Sequence, residues 1–115
     1  MSLSDLNVSN NRISMLPKEL SACTSLERVN ISGNSFIQLP PVLLDIPSLV
    51  TVDAGKNFIA EVEVDALKTS LPALQSLLLE NNPLKKEAYE ALLEVTSCKV
   101  VLSPREKEDW EDLSI

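Results

Sequence analysis

The chain has 115 residues, enough for one domain that buries about two thirds of its unfolded surface without disulfide or metal staples. Its hydrophobic fraction is 44% but its aromatic fraction only 3%, so Leu, Ile and Val must build the core in regular aliphatic layers. A formal charge of −7, with no cluster of Lys or Arg to offset it, disfavours nucleic acid and membrane surfaces as partners, and no apolar stretch approaches the roughly 18 residues of a membrane span.

Taken in chain order, four segments repeat one pattern. They are LSDLNVSNNRI from Leu3, LERVNISGNSF from Leu26, LVTVDAGKNFI from Leu49 and LQSLLLENNPL from Leu74. Each has an aliphatic residue at its first and fourth positions and an apolar residue at its sixth, which is Ala54 in the third copy. Each has Asn at its ninth position and an apolar residue at its eleventh. The asparagines are Asn11, Asn34, Asn57 and Asn82, at intervals of 23, 23 and 25 residues.

Alternation at the fourth and sixth positions, as in Leu6 and Val8 or Val29 and Ile31, predicts a short strand with one buried face. Stacked copies then pair these strands into a parallel sheet. The recurring Asn stands where the chain turns inward, and its amide offers both a donor and an acceptor to the backbone of the turn and of the neighbouring copy. The four asparagines are therefore a structural ladder and not catalytic groups.

The segments that follow also repeat. Ile13, Leu16, Leu20 and Cys23, then Phe36, Leu39, Leu43 and Ile46, are spaced to form one helical or 3₁₀ face turned toward the sheet. Pro17 and Pro40 favour a tight, non-strand start to these returns. The third return is two residues longer and has Glu63 where the others have Pro, which predicts a fuller helical turn.

Past Leu84 the pattern changes. Leu84, Ala88, Leu92 and Val95 fall on one face of an amphipathic helix, and residues 99–102 read as a short final strand. Ser103-Pro104-Arg105-Glu106 matches a helix capping box, and an acidic tail around Trp110 follows. Together these form a C-terminal cap, with Trp110 expected to pack on the last repeat. The N-terminal side shows no such cap, so one strand edge and one apolar layer are expected to face water, inviting self-association.

Catalytic chemistry is poorly supplied. There is no His, which removes the usual general base and the commonest zinc ligand. Only Gly33 and Gly55 are available, so no phosphate-cradling loop exists. Cys23 and Cys98 form no metal-ligand spacing and read as buried thiols among apolar neighbours. No catalytic, cofactor-binding or metal-binding residue is assigned.

The pattern L-x-x-L-x-L-x-x-N-x-L over most of the chain resembles the leucine-rich repeat family. The resemblance implies an α/β solenoid, a short right-handed horseshoe with a parallel sheet on its concave face and helical or 3₁₀ returns on its convex face. Residues 1–84 then form four repeats, starting near 3, 26, 49 and 74, and residues 85–115 form the helix–strand cap with its acidic tail. The resemblance further implies a non-enzymatic module that binds a protein partner through its concave sheet. The alternative is a structural or self-associating fragment that dimerises through its N-terminal edge.

Stacking sorts the outward side chains into columns. The third position holds Asp5, Arg28, Thr51 and Ser76, and the fifth holds Asn7, Asn30, Asp53 and Leu78. The seventh holds Ser9, Ser32, Gly55 and Glu80. The first two columns together with Glu80 are the candidate binding residues, with Arg28, Asp53, Leu78 and Glu80 foremost. Asn7-Val8-Ser9 and Asn30-Ile31-Ser32 are formal glycosylation triplets, but their Asn and Ser occupy exposed strand positions on either side of a buried residue. They read as register marks of the repeat. The first residues also lack the basic region and apolar core of a secretory leader, so an intracellular protein is expected.

Overall fold

The computed structural model describes residues 4–96 and 98–103. Five three-residue strands, β1 (Asp5–Asn7), β2 (Arg28–Asn30), β3 (Thr51–Asp53), β4 (Ser76–Leu78) and β5 (Lys99–Val101), form one parallel sheet in sequence order. Every strand pairs with the next in matched register, so Asp5, Arg28, Thr51, Ser76 and Lys99 stand side by side. The fold is that of a leucine-rich repeat solenoid, and the four strands expected from the repeat are joined by the expected fifth.

The returns differ in the way their sequences direct. Lys18–Ala22 and Pro41–Asp45 are 3₁₀ helices, entered through Pro17 and Pro40 in extended conformations. The longer third return forms an α-helix, α1 (Val64–Ser70), starting after Glu63. The amphipathic segment of the cap forms α2 (Lys86–Leu93).

The core is built from the consensus positions. From the second repeat onward the first position (Leu26, Leu49, Leu74), the fourth (Val29, Val52, Leu77), the sixth (Ile31, Ala54, Leu79) and the eleventh (Phe36, Ile59, Leu84) are all buried. Each large aliphatic or aromatic side chain among them contributes about 1.5–3 kcal/mol through loss of water contact. In the first repeat Leu6, Val8, Ile13 and Leu16 are only half-buried, since β1 is the end strand of the sheet and no further layer covers it among the described residues.

The asparagine ladder follows a single geometry. The Asn34 side-chain oxygen accepts the backbone N–H groups of Asn11 (2.9 Å) and Ile13 (3.1 Å) in the repeat before it. Its amide nitrogen donates to the carbonyls of Val8, Ile31 and Ser32. Asn57 and Asn82 reach back in the same way, Asn57 to Phe36 N–H and Ile31 O, Asn82 to Asn57 N–H, Ile59 N–H and Ala54 O. Asn34 and Asn57 are the buried polar residues of the described chain, and no buried side-chain nitrogen or oxygen described lacks a partner. Among the described residues the Asn11 side chain donates to Val8 O and Ser9 O of its own turn.

One regularity was not read from the sequence. The eighth position of each repeat (Asn10, Gly33, Lys56, Asn81) has φ between 55° and 68°, the left-handed region that turns the chain inward just before the Asn. Asn and Gly suit that conformation; Lys56 occupies it at a cost.

Two expectations need amendment. Cys23 is buried, but Cys98 is half-buried because it leads into β5 at the end of the stack. Ala88 is half-buried and lines a surface groove, whereas Leu84, Leu92 and Val95 of the same face enter the core. At the sheet end the Ser103 hydroxyl accepts the Asn81 N–H at 2.9 Å. Leu3, the capping-box residues from Pro104 onward, the acidic tail and Trp110 lie outside the described residues.

Candidate protein-binding face

The outward side chains of the five strands form the exposed face of the sheet. At one end Arg28 Nη1 meets Asp5 Oδ1 at 3.2 Å, across the β1–β2 register. Both side chains are more than half exposed, so the pair contributes at most about 1 kcal/mol and remains open to exchange for a partner's charges.

The fifth-position column has a local chemistry of its own. Asn7 Oδ1 accepts from Ser9 N–H (3.1 Å) and Ser9 Oγ–H (2.7 Å), and Asn30 Oδ1 does the same with Ser32 (3.0 and 2.7 Å). Asp53 Oδ1 accepts the Gly55 N–H at 3.1 Å. These side-chain oxygens cap the backbone two residues ahead, the local habit of Asn and Asp. This explains why Asn-x-Ser recurs: the two residues bond to each other across the exposed face. Asn7, Asn30 and Asp53 therefore shape the sheet and present only their remaining polar groups to a ligand.

Thr51 and Ser76 are half-buried in the middle of the face. Leu78 is half-buried and Glu80 exposed beyond them. At the far end the column counts from the sequence need correction. β5 adds Lys99 to the third-position column and Val101 to the fifth, a second cation besides Arg28 and a second large apolar residue besides Leu78. Leu78 and Val101 are register partners on adjacent strands, which stand about 4.8 Å apart. They form a small apolar step, with Lys99 and Glu80 as its charged neighbours in the columns on either side. The signal was present in KVV, but the fifth copy has Arg105 where the others have Asn, and its register could not be counted without the pairing.

The remaining chemistry of the face is modest. Among the described residues no group of three or more His, Cys, Asp or Glu side chains could hold a metal ion, and no helix is long and apolar enough to cross a membrane.

Comparison with known proteins agrees with this architecture. The family model described as Leucine Rich Repeat matches residues 2–23 and 25–45, which hold the first two copies of the repeat. It is 28% identical over 83 residues to an adenylate cyclase of Schizosaccharomyces pombe, covering 72% of this chain and 5% of that protein. It is 33% identical over 91 residues to the mouse leucine-rich repeat serine/threonine-protein kinase 1, covering 73% of this chain and 4% of that protein. The chain thus spans only a small part of the length of either relative. Among solved structures, the Drosophila melanogaster SNF/U2A' complex includes a chain of the same fold, with a TM-score of 0.65 and 21% identity over 84% of this chain and 55% of that one. The leucine-rich repeat domain of APL1B matches with a TM-score of 0.69 and 18% identity, over 91% of this chain and 32% of that one.

Proposed function

We propose that the chain is a non-enzymatic interaction module that binds a protein partner through the concave face of its sheet. The Leu78–Val101 step beside Lys99 and Glu80 carries this reading, because an apolar contact ringed by opposite charges is the usual composition of a protein interface centre. The repeat fold supports it, since stacked repeats present an extended surface without a catalytic pocket. The appearance of the fold in the SNF/U2A' complex accords with a protein partner. Net negative charge argues against nucleic acid, and an intracellular setting goes with the reading of Asn7 and Asn30 as turn-forming residues.

The test is affinity capture with wild type and with an Arg28→Glu, Leu78→Asp variant whose fold is checked by circular dichroism. Partners recovered by the wild type should be lost with the variant. Equal recovery of the same proteins would remove the sheet face from consideration. Digestion of the cell-expressed chain with a glycosidase should leave its mass unchanged if Asn7 and Asn30 carry no glycan.

A second reading has its own observation. β1 ends the described sheet, its layer is half-buried, and the Asn11 side chain spans no earlier repeat. Such an edge can pair with a second copy. Light scattering over a concentration series tests this: mass should rise toward the dimer, and a strict monomer at the highest concentration would reject it.

A further inference from the structure

A groove of about 740 Å³ lies away from the sheet face, between the second 3₁₀ return, α1 and α2. Its origin is visible in the sequence of those elements. The longer third return starts α1 at Val64, and α2 places the small side chains Ala88 and Ala91 one turn apart on the same face. Small residues there leave open the space that larger ones would fill. The floor is completed by Leu39, Leu44, Val62 and Val64, all half-buried with apolar surface still open to water.

The walls carry one sign of charge. Glu63, Asp65, Glu87 and Glu94 line the groove and are exposed. The lining also includes Lys85, paired with Glu61 of the same lining at 2.7 Å, so these two together add no net charge. An apolar floor beneath these carboxylates selects against acidic ligands and favours apolar groups flanked by cations. The volume is in the range of sites that enclose a few side chains.

We propose that this groove docks a short segment of a partner protein in which aliphatic anchor residues are flanked by Arg or Lys. The anchors lie on Leu39, Leu44, Val62 and Val64, and the flanking cations face Glu63, Asp65, Glu87 and Glu94. The whole chain's charge of −7 steers such a segment toward the molecule before contact. This surface is independent of the sheet face, and the two could hold one partner at two places or two partners at once.

The probe is a fluorescent synthetic peptide of leucines flanked by arginines, read by anisotropy against the whole chain. Two control peptides replace the arginines by glutamates or the leucines by serines. The leucine–arginine peptide should bind saturably and both controls at least about tenfold more weakly, because each lacks one half of the complementarity. Raising the salt from about 0.1 M to about 1 M, which shortens the Debye length from about 10 Å to about 3 Å, should weaken it several-fold. Glu63→Lys with Glu94→Lys changes two exposed side chains and should cost at least about tenfold in affinity without altering the melting profile. Ala88→Arg should occlude the groove with a like-charged side chain; the double charge reversal keeps the test decisive if that variant fails to fold. Leu78→Asp on the sheet face should leave peptide binding intact. Absence of binding to the wild type, equal binding of the serine–arginine peptide, survival of binding in the charge-reversed variant, or its loss in Leu78→Asp would each overturn the proposal.

Discussion

Replacing Asn57 by Ala removes a buried amide, 5% exposed, and puts no polar group in its place. The Phe36 N–H then loses its acceptor at 3.1 Å inside the stack, a loss of about 1–3 kcal/mol. Three carbonyls lose a donor, but none is orphaned. Ile31 O keeps the Asn34 amide at 2.8 Å, Ala54 O keeps the Asn82 amide at 2.9 Å, and Gly55 O keeps the Gly33 N–H at 3.0 Å. Each therefore costs no more than the net worth of an ordinary bond, about 0.5–1.5 kcal/mol. The expected total is about 3 kcal/mol. Asn11→Ala is the control, because the Asn11 side chain is exposed and, among the described residues, donates to Val8 O and Ser9 O of its own turn. It should cost less than about 1 kcal/mol. Urea unfolding followed by circular dichroism reads the difference: with a slope of about 1–3 kcal/mol per molar, Asn57→Ala lowers the midpoint by roughly 1–3 M. Equal losses from the two variants would refute the claim that the ladder works by reaching into the preceding repeat.

The left-handed eighth position gives a paired test. Lys56→Gly should raise stability by about 0.5–1 kcal/mol by relieving a Lys held at φ 55°, read as a higher melting temperature. Gly33→Ala should lower it by at least about 1 kcal/mol, because its methyl group would run into the Asn10 side chain and φ is +68°. The Glu61–Lys85 pair predicts a pH dependence of definite sign. The Lys85 hydrogen bond, and secondly its charge, hold the Glu61 carboxyl below its ordinary value of 4.5, while the same Glu61 bond and charge hold Lys85 above 10.5. The carboxylate's share of the pairing is therefore complete above pH 4.5 and lost as pH falls through the lowered value. The lysine's share is complete below pH 10.5 and lost as pH rises through the raised one. Carbon-detected NMR should show the Glu61 midpoint moving upward in Lys85→Met; an unmoved midpoint would refute the pairing.

Most of the fold was legible because each consensus position answers one physical demand. Leu at the first position, alternating aliphatics at the fourth and sixth, and Asn at the ninth leave little freedom once the copies stack. The start of α1 after Glu63 could be expected because an extra length of chain without Pro permits α-helical hydrogen bonding. The candidate face was legible in part. Asp5, Arg28, Thr51 and Ser76 do share a column, but Lys99 and Val101 could not be placed while β5 lacked its own Asn as a counting mark. The Asn–Ser bonding on the face was also missed: alternation shows which way side chains point and says nothing of what they bond. The groove was invisible because it depends on the distance between α1 and α2. Ala88 read as a core position from its spacing alone.

The ladder and the two candidate surfaces divide the sequence between them. Asn34, Asn57 and Asn82 lock each repeat to the one before, so outward columns keep their register whatever residues fill them. That rigidity frees the third, fifth and seventh positions to vary without loss of fold, and it makes departures from the repeat informative. The departures here are Leu78 and Val101 where the first three copies have Asn, Asn and Asp, the lengthened third return, and the alanines of α2. The first gives the sheet its apolar step, and the other two open the acidic groove. Both features involve the C-terminal half of the stack, and neither draws on the half-buried layer of β1. A partner that engages either surface therefore meets preformed strands and helices, and its affinity should depend on charge and fit more than on ordering the chain.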